Sequence, residues 1–181
     1  MINHRRINKQ NVVGIDRARQ DGFRYIDSLI TFGKNISDVF TEVAKPSDYP
    51  AIERLTLTEI TNSRLYRDPQ IPIETAQQIY KQRLKSFFDD DDIDIFVARH
   101  LEAGVIGFAV LHKNEIELIA VDRAYQGEGV GRQLVARAED IARTYGWKTL
   151  TVNTQGMNKP AINFYKRLGF KVENTFWDFH K

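Results

Sequence analysis

Val121-Asp122-Arg123-Ala124-Tyr125-Gln126-Gly127-Glu128-Gly129-Val130-Gly131 joins a short apolar run to an amphipathic one. The run before it, Ile116 to Val121, has the length of a strand. After it, Leu134, Ala138, Ile141, Ala142 and Tyr145 recur at three- and four-residue spacings, the apolar stripe of a helix ending near Gly146. Gly127, Gly129 and Gly131 therefore fall on a strand-to-helix turn. There glycine lets the backbone approach a ligand closely, and the first amides of the helix point outward at the positive end of its dipole. The arrangement is a cradle for a pyrophosphate. No Gly-Lys-Ser/Thr follows, which excludes a Walker loop, and the glycines lack the G-x-G-x-x-G spacing of a dinucleotide fingerprint.

Working outward, Ile93 to Arg99, Val105 to Leu111 and Ile116 to Val121 read as three central strands, the last two joined by a Lys113-Asn114 hairpin turn. Phe40 to Ala44 and Thr149 to Val152 are further short strands, and Thr175 to Phe179 a last one. Pro46-Ser47-Asp48 starts a helix carrying Ile52, Leu55 and Ile60. Ile73, Ala76, Tyr80, Leu84 and Phe87 mark one face of another helix after Pro72, and Pro160 to Leu168 form a third, stopped by Gly169. The fold class is α/β (α+β), a mixed sheet with helices between its strands. Residues 43–181 form the main domain. Residues 1–42 are an N-terminal extension packed on it, with a short helix before Gly22 and a strand over Phe23 to Phe32.

The 181 residues suit one compact domain with an extension. Lys and Arg number 26 against 24 Asp and Glu, so the net charge of +2 gives no support to a polyanion binder working by counterion release. Nucleic acid is not an expected partner. With no Cys there is neither disulfide nor thiolate chemistry. Asp89 to Asp92 read as a solvated turn rather than a metal site. His100, His112 and His180 show no metal-ligand spacing, and no metal is expected. No apolar run approaches the roughly 20 residues of a membrane-spanning helix, and the first residues lack the apolar core of a signal peptide. A cytoplasmic location is the default expectation.

The pattern Gln126-x-x-Gly129-x-Gly131 after an apolar strand resembles the acyl-CoA signature of the GNAT superfamily of N-acetyltransferases. Asn158, Ala161, Tyr165 and Gly169-Phe170 resemble that superfamily's second motif, in the expected order. The resemblance covers roughly residues 43–181. It implies a central mixed, mostly antiparallel sheet flanked by helices and splayed at the strand that holds acetyl-CoA. Gly22-Phe23-x-Tyr25-Ile26-Asp27-Ser28, Ser63 to Pro69, Thr154-Gln155 and Phe176-Trp177 look like the branch that acetylates nucleotide-linked amino sugars such as TDP-fucosamine. The implied reaction is direct transfer from acetyl-CoA to a primary amine, most readily that of a nucleotide-linked amino sugar. A peptide or other small amine as acceptor, and a non-catalytic acyl-CoA-binding sensor, are the rival readings.

The chemistry asks for three things. The pyrophosphate should rest on the amides of Gln126, Gly127, Glu128, Gly129, Val130 and Gly131, with Arg132 within reach of phosphate. The pantetheine arm should lie along the backbone of Ile119, Ala120 and Val121 as an added strand, with Asn158 contacting its amides. The departing thiolate needs a proton donor, and Tyr165 is the candidate acid, protonated at neutral pH with an ordinary pKa of about 10. An alkylammonium of pKa about 10.4 costs roughly 4–5 kcal/mol to deprotonate at pH 7, less on a sugar ring. Glu115 and Glu117, on the strand leading to the cradle, are the candidate bases, with Glu59 a further one. Arg64, Tyr66 and Trp177 are candidate sugar-nucleotide contacts by resemblance. The aromatic tail Phe176-Trp177-x-Phe179 is a surface suited to a homodimer.

Overall fold

A computed structural model describes residues 16–17, 19–22 and 38–175 of the chain. It divides into two units, Met1–Ile36 and Ser37–Lys181. In the first, residues 16, 17, 19 and 20 are helical and the turn closes at Gly22, whose amide donates to the Arg19 carbonyl. The strands expected over Phe23 to Phe32 and beyond Thr175 lie outside the described residues, as does most of the 1–42 extension.

The second unit is a five-stranded sheet in sequence order: β1 (Val39–Val43), β2 (Ile93–His100), β3 (Gly104–His112), β4 (Glu115–Val121) and β5 (Thr151–Val152). The first four are antiparallel and β5 runs parallel to β4. A turn of 3-10 helix at Pro46–Asp48 leads into α1 (Tyr49–Glu59), followed by α2 (Arg64–Arg67) and α3 (Ile73–Phe88) before β2. α4 (Val130–Thr144) connects β4 to β5, and α5 (Lys159–Arg167) follows.

Both faces of the sheet are covered, so its central strands read as nearly continuous apolar runs. On one side Ile52 and Leu55 of α1 and Tyr80, Leu84 and Phe87 of α3 pack on Val97, Phe108, Val110, Leu118 and Ala120. On the other, Val130, Leu134, Val135 and Ala138 of α4 pack on Phe96, Ala98, Ile106, Ala109 and Ile116. Two stripe positions depart from the periodic reading. Ile73 is 61% and Tyr145 60% exposed, because each lies at the end of its helix, beyond the sheet. Tyr145 stacks instead on Trp147, ring centroids 4.7 Å apart.

The departure that matters for the site is a bulge in β4. Val110 pairs with Leu118 but Leu111 with Ile116, so Glu117 is the extra residue. A one-residue slip inverts the alternation: Ile116 packs in the α4 layer, whereas Leu118 and Ala120 pack in the α1/α3 layer.

The first strand is tied down by charge. Arg99 on β2 donates to Glu42 (2.6 Å) and, through Nη2, to both oxygens of Asp48 (2.9 and 3.1 Å), which also accepts from the Lys45 amide (2.9 Å). Burial pushes the Asp48 carboxyl up, but the Lys45 amide and the Arg99 guanidinium outweigh it and hold it below its ordinary value of 3.8. The stabilisation is therefore present above the unfolded pKa and is lost as pH falls through the lower folded one. Asp48→Asn is expected to cost about 1–3 kcal/mol at pH 7 and to flatten the acid limb of the stability profile. Urea unfolding at pH 7 and pH 3 checks this, and a variant with the wild type's full acid sensitivity would clear Asp48 of the role.

Candidate active site

β4 and β5 pair only at Glu115 with Thr151 and Ile116 with Val152. Beyond the bulge they part, and residues 117–121 keep β3 on one side and have no strand on the other among the described residues. The parting opens a cleft of about 1320 Å³, lined by residues of all five helices, β4, β5 and the segment to Thr175. The splay expected from the resemblance is present. Strand β5 is shorter than the expected Thr149 to Val152, since only Thr151 and Val152 still reach β4.

Glu115, Glu117, Ile119, Arg64, Asn158 and Tyr165 all line this cleft. Tyr165 is 8% exposed, its ring against Phe164 and Phe170. Burial pushes its phenol up to about 12. The hydroxyl has no hydrogen-bond partner among the described residues, yet it is not one of the sealed, unpartnered polar atoms, which are Ser63 Oγ, Tyr66 Oη and Arg137 Nε. It thus reaches the cleft as an unspent donor. Asn158 caps α5, its Oδ1 accepting from the Ala161 amide at 3.3 Å, which leaves its Nδ2 to face a ligand. Glu115 accepts from the Asn153 amide, and Glu117 forms an ion pair with Arg83.

The glycine loop lies past the far end of β4, outside the cleft lining. Asp122 opens it: its Oδ1 accepts from the Ala124 amide (3.1 Å) and its Oδ2 from Arg54 of α1 (3.0 Å). The Ala124 amide first, then the Arg54 guanidinium, hold the Asp122 carboxyl below the usual range against its partial burial. Gln126 donates to the Val121 carbonyl (2.9 Å) and to Glu59 (3.3 Å), so its side chain braces the loop from within. Gly127 and Gly129 have φ of +86° and +87°, conformations that L side chains rarely adopt. Gly129 is the N-cap of α4, and no side chain caps it. The amides of residues 127–132 have no acceptor among the described residues. Gly131 has a packing purpose as well: a Cβ there would meet the Phe164 ring at 3.1 Å, so its lack of a side chain lets α4 and α5 close together. The Val130 side chain is core, and exposed Arg132 forms no ion pair among the described residues.

Acetyl-CoA fits what these residues offer. From Glu117 to Val121 the open edge runs about 13 Å at 3.3 Å per residue, with unpaired amides at one end and Tyr165 in the cleft at the other. Neither Ala120 nor Val121 lines the cleft, so on the open edge each has its backbone to offer.

One sugar-nucleotide candidate is placed elsewhere. The Tyr66 ring stacks on Tyr80 (5.8 Å, 11°), its hydroxyl is sealed and burial pushes its phenol up, so the structure does not bring it to the cleft. Trp177 lies outside the described residues. Sequence reasoning missed Arg83, Arg54 and Asn153. Each acts through a partner 34 to 68 residues away, and a lone polar residue beside an apolar stripe carries no signal of that partner.

Residues 57–170 match the acetyltransferase (GNAT) family. The chain belongs to that family. Among curated relatives, the spore coat polysaccharide biosynthesis protein SpsD of Bacillus subtilis is 28% identical over 140 residues, 75% of this chain and 48% of that protein. The dTDP-fucosamine acetyltransferase of Escherichia coli is 27% identical over 180 residues, 95% of this chain and 78% of that enzyme. The chain thus spans about half the length of SpsD. A putative acetyl transferase from Pyrococcus furiosus shares the fold, with a TM-score of 0.67 at 20% identity over 79% of this chain and 99% of that one. The glycine loop follows β4, the strand at which the sheet splays. No helix among the described residues is long and apolar enough to cross a membrane.

Proposed function

We propose that the chain transfers an acetyl group from acetyl-CoA directly to a primary amine, that of a nucleotide-linked amino sugar. The observation that carries the reading is the open β4 edge, with unpartnered amides at one end and the free Tyr165 hydroxyl at the other. Acetyl-CoA supplies the activated thioester. The amides of Gly127 to Gly131 hold its phosphates, the edge at Ile119 to Val121 fixes its arm, and Asn158 Nδ2 donates to it. Glu117, placed by the bulge, receives the acceptor's ammonium and is the nearer choice of base; Glu115 is the second. Tyr165 donates to the sulfur as charge gathers there. A phenol near 12 is a weaker acid than a thiol near 8.5. Its contribution is hydrogen bonding in the transition state, with the proton replaced from the amine or solvent as the amide forms.

The amino-sugar acceptor is supported by similarity over 95% of the chain to a dTDP-fucosamine acetyltransferase and by Arg64 in the cleft. Remote contacts to a nucleotide would supply binding energy that orients the amine. A TDP- or UDP-linked amino sugar is therefore expected to show a higher kcat/KM than the free amino sugar, lysine peptides or N-terminal peptides. Peptides outperforming the nucleotide sugars would reject the acceptor and keep the acetyl-CoA site. Tight acetyl-CoA binding with no transfer across a broad amine library would turn the reading into that of a sensor module.

A further inference from the structure

Five glutamates line the cleft. Glu139 of α4 pairs with Arg143 within its own helix, and of the three from β4 and the C-terminal end of α1 the partners differ in kind. Glu59 accepts from the neutral amide of Gln126 and Glu115 from that of Asn153. Glu117 is paired with a cation, Arg83 Nη2 of α3. Both members line the cleft, with side chains 43% (Arg83) and 21% (Glu117) exposed. The guanidinium lies over the Phe87 ring, 5.3 Å from its centroid, which seats it on the cleft wall.

An acceptor amine arrives as an ammonium and meets a carboxylate already neutralised by a tethered cation. A plain ammonium must displace Arg83 from Glu117, leaving two cations side by side and one without a counter-ion. An amine that also carries a phosphate avoids this, because its ammonium and its phosphate each meet an opposite charge and neither Arg83 nor Glu117 is left without a partner. Arginine is suited to the phosphate half, since its planar fork binds phosphate in a bidentate way that an ammonium does not match. Resting on the acetyltransferase reading above, we propose that Arg83 is a specificity-determining residue of the acceptor site. It releases Glu117 to the acceptor's ammonium and takes the acceptor's phosphate, so the cleft selects amines that bear a phosphate.

Three probes separate the charges: glucosamine 1-phosphate with both, methyl glucosaminide with the ammonium alone, and glucose 1-phosphate with the phosphate alone. Each is titrated into the full chain saturated with CoA, so that phosphate binding at the glycine loop is blocked. The wild type is expected to bind glucosamine 1-phosphate at least tenfold more tightly than either single-charge probe. In Arg83→Gln its advantage over methyl glucosaminide should disappear, and in Arg83→Lys part of it should return, with CoA affinity unchanged in both. An advantage that persists in Arg83→Gln overturns the proposal, as does its absence, or the absence of any probe binding, in the wild type. Should Arg83→Gln fail to fold, the Lys variant decides: an undiminished advantage there counts against the guanidinium's role. Failure of the acetyltransferase reading shows separately, as a wild type that does not bind CoA.

Discussion

Tyr165→Phe should bind acetyl-CoA like the wild type and turn over more slowly by about 10² to 10⁴, the usual worth of a general-acid contact. The ring's packing against Phe164 and Phe170 survives the change, and the hydroxyl makes no hydrogen bond within the described protein, so its loss removes little from the fold. The phenol also leaves a mark on stability. Its folded pKa of about 12 stands above the unfolded value near 10. Below pH 10 the phenol is neutral in both states and without effect, and as pH rises from 10 to 12 the unfolded chain ionises first and stability falls, by on the order of 2–3 kcal/mol over the interval. Tyr165→Phe should lack that alkaline decline. Single-turnover kinetics and unfolding at pH 9 and 11.5 read the two effects separately. Wild-type rates with chemistry limiting would remove Tyr165 from the reaction, and the alkaline decline would still report on its burial.

Gly129→Val should abolish most acetyl-CoA binding while costing stability as well. At φ +87° a β-branched residue carries backbone strain of about 1–3 kcal/mol. Apart from its chain neighbours, no atom of the described residues lies within 4 Å of a Cβ built there, so packing gives no clash to relieve. That open space is where phosphates would rest on the amides. Each charge-assisted hydrogen bond lost is worth about 1.5–3 kcal/mol, or roughly 10- to 100-fold in affinity. Calorimetry at a temperature where the variant is folded distinguishes the two costs. Undiminished affinity in the folded variant would falsify the cradle.

Much of this molecule was readable along the chain. The three apolar runs at 93–99, 105–111 and 116–121, the stripes on α3 and α4 and the Gln126 to Gly131 turn are signals of apolar run length, period 3.6 and glycine spacing, which each act over a few residues. Helix ends were read less well. Ile73 and Tyr145 continue their stripes in sequence but pass the edge of the sheet they would pack on, a boundary set by the strands and not by the helix.

By itself the sequence determined the mixed sheet, the order of its elements, the strand-to-helix turn and the presence of Tyr165 in a matching motif. Only the tertiary structure decided how these meet. The bulge at Glu117 turns β4 over between its two cores, β5 leaves β4 after two residues and opens the cleft, and Gly131 is spent on the closeness of α4 and α5. It also decided that Tyr66 packs on Tyr80 and that Arg83 holds Glu117. These outcomes depend on register, on helix spacing and on charges brought together across long stretches of chain, and local residue patterns carry no record of which distant partner the fold will supply.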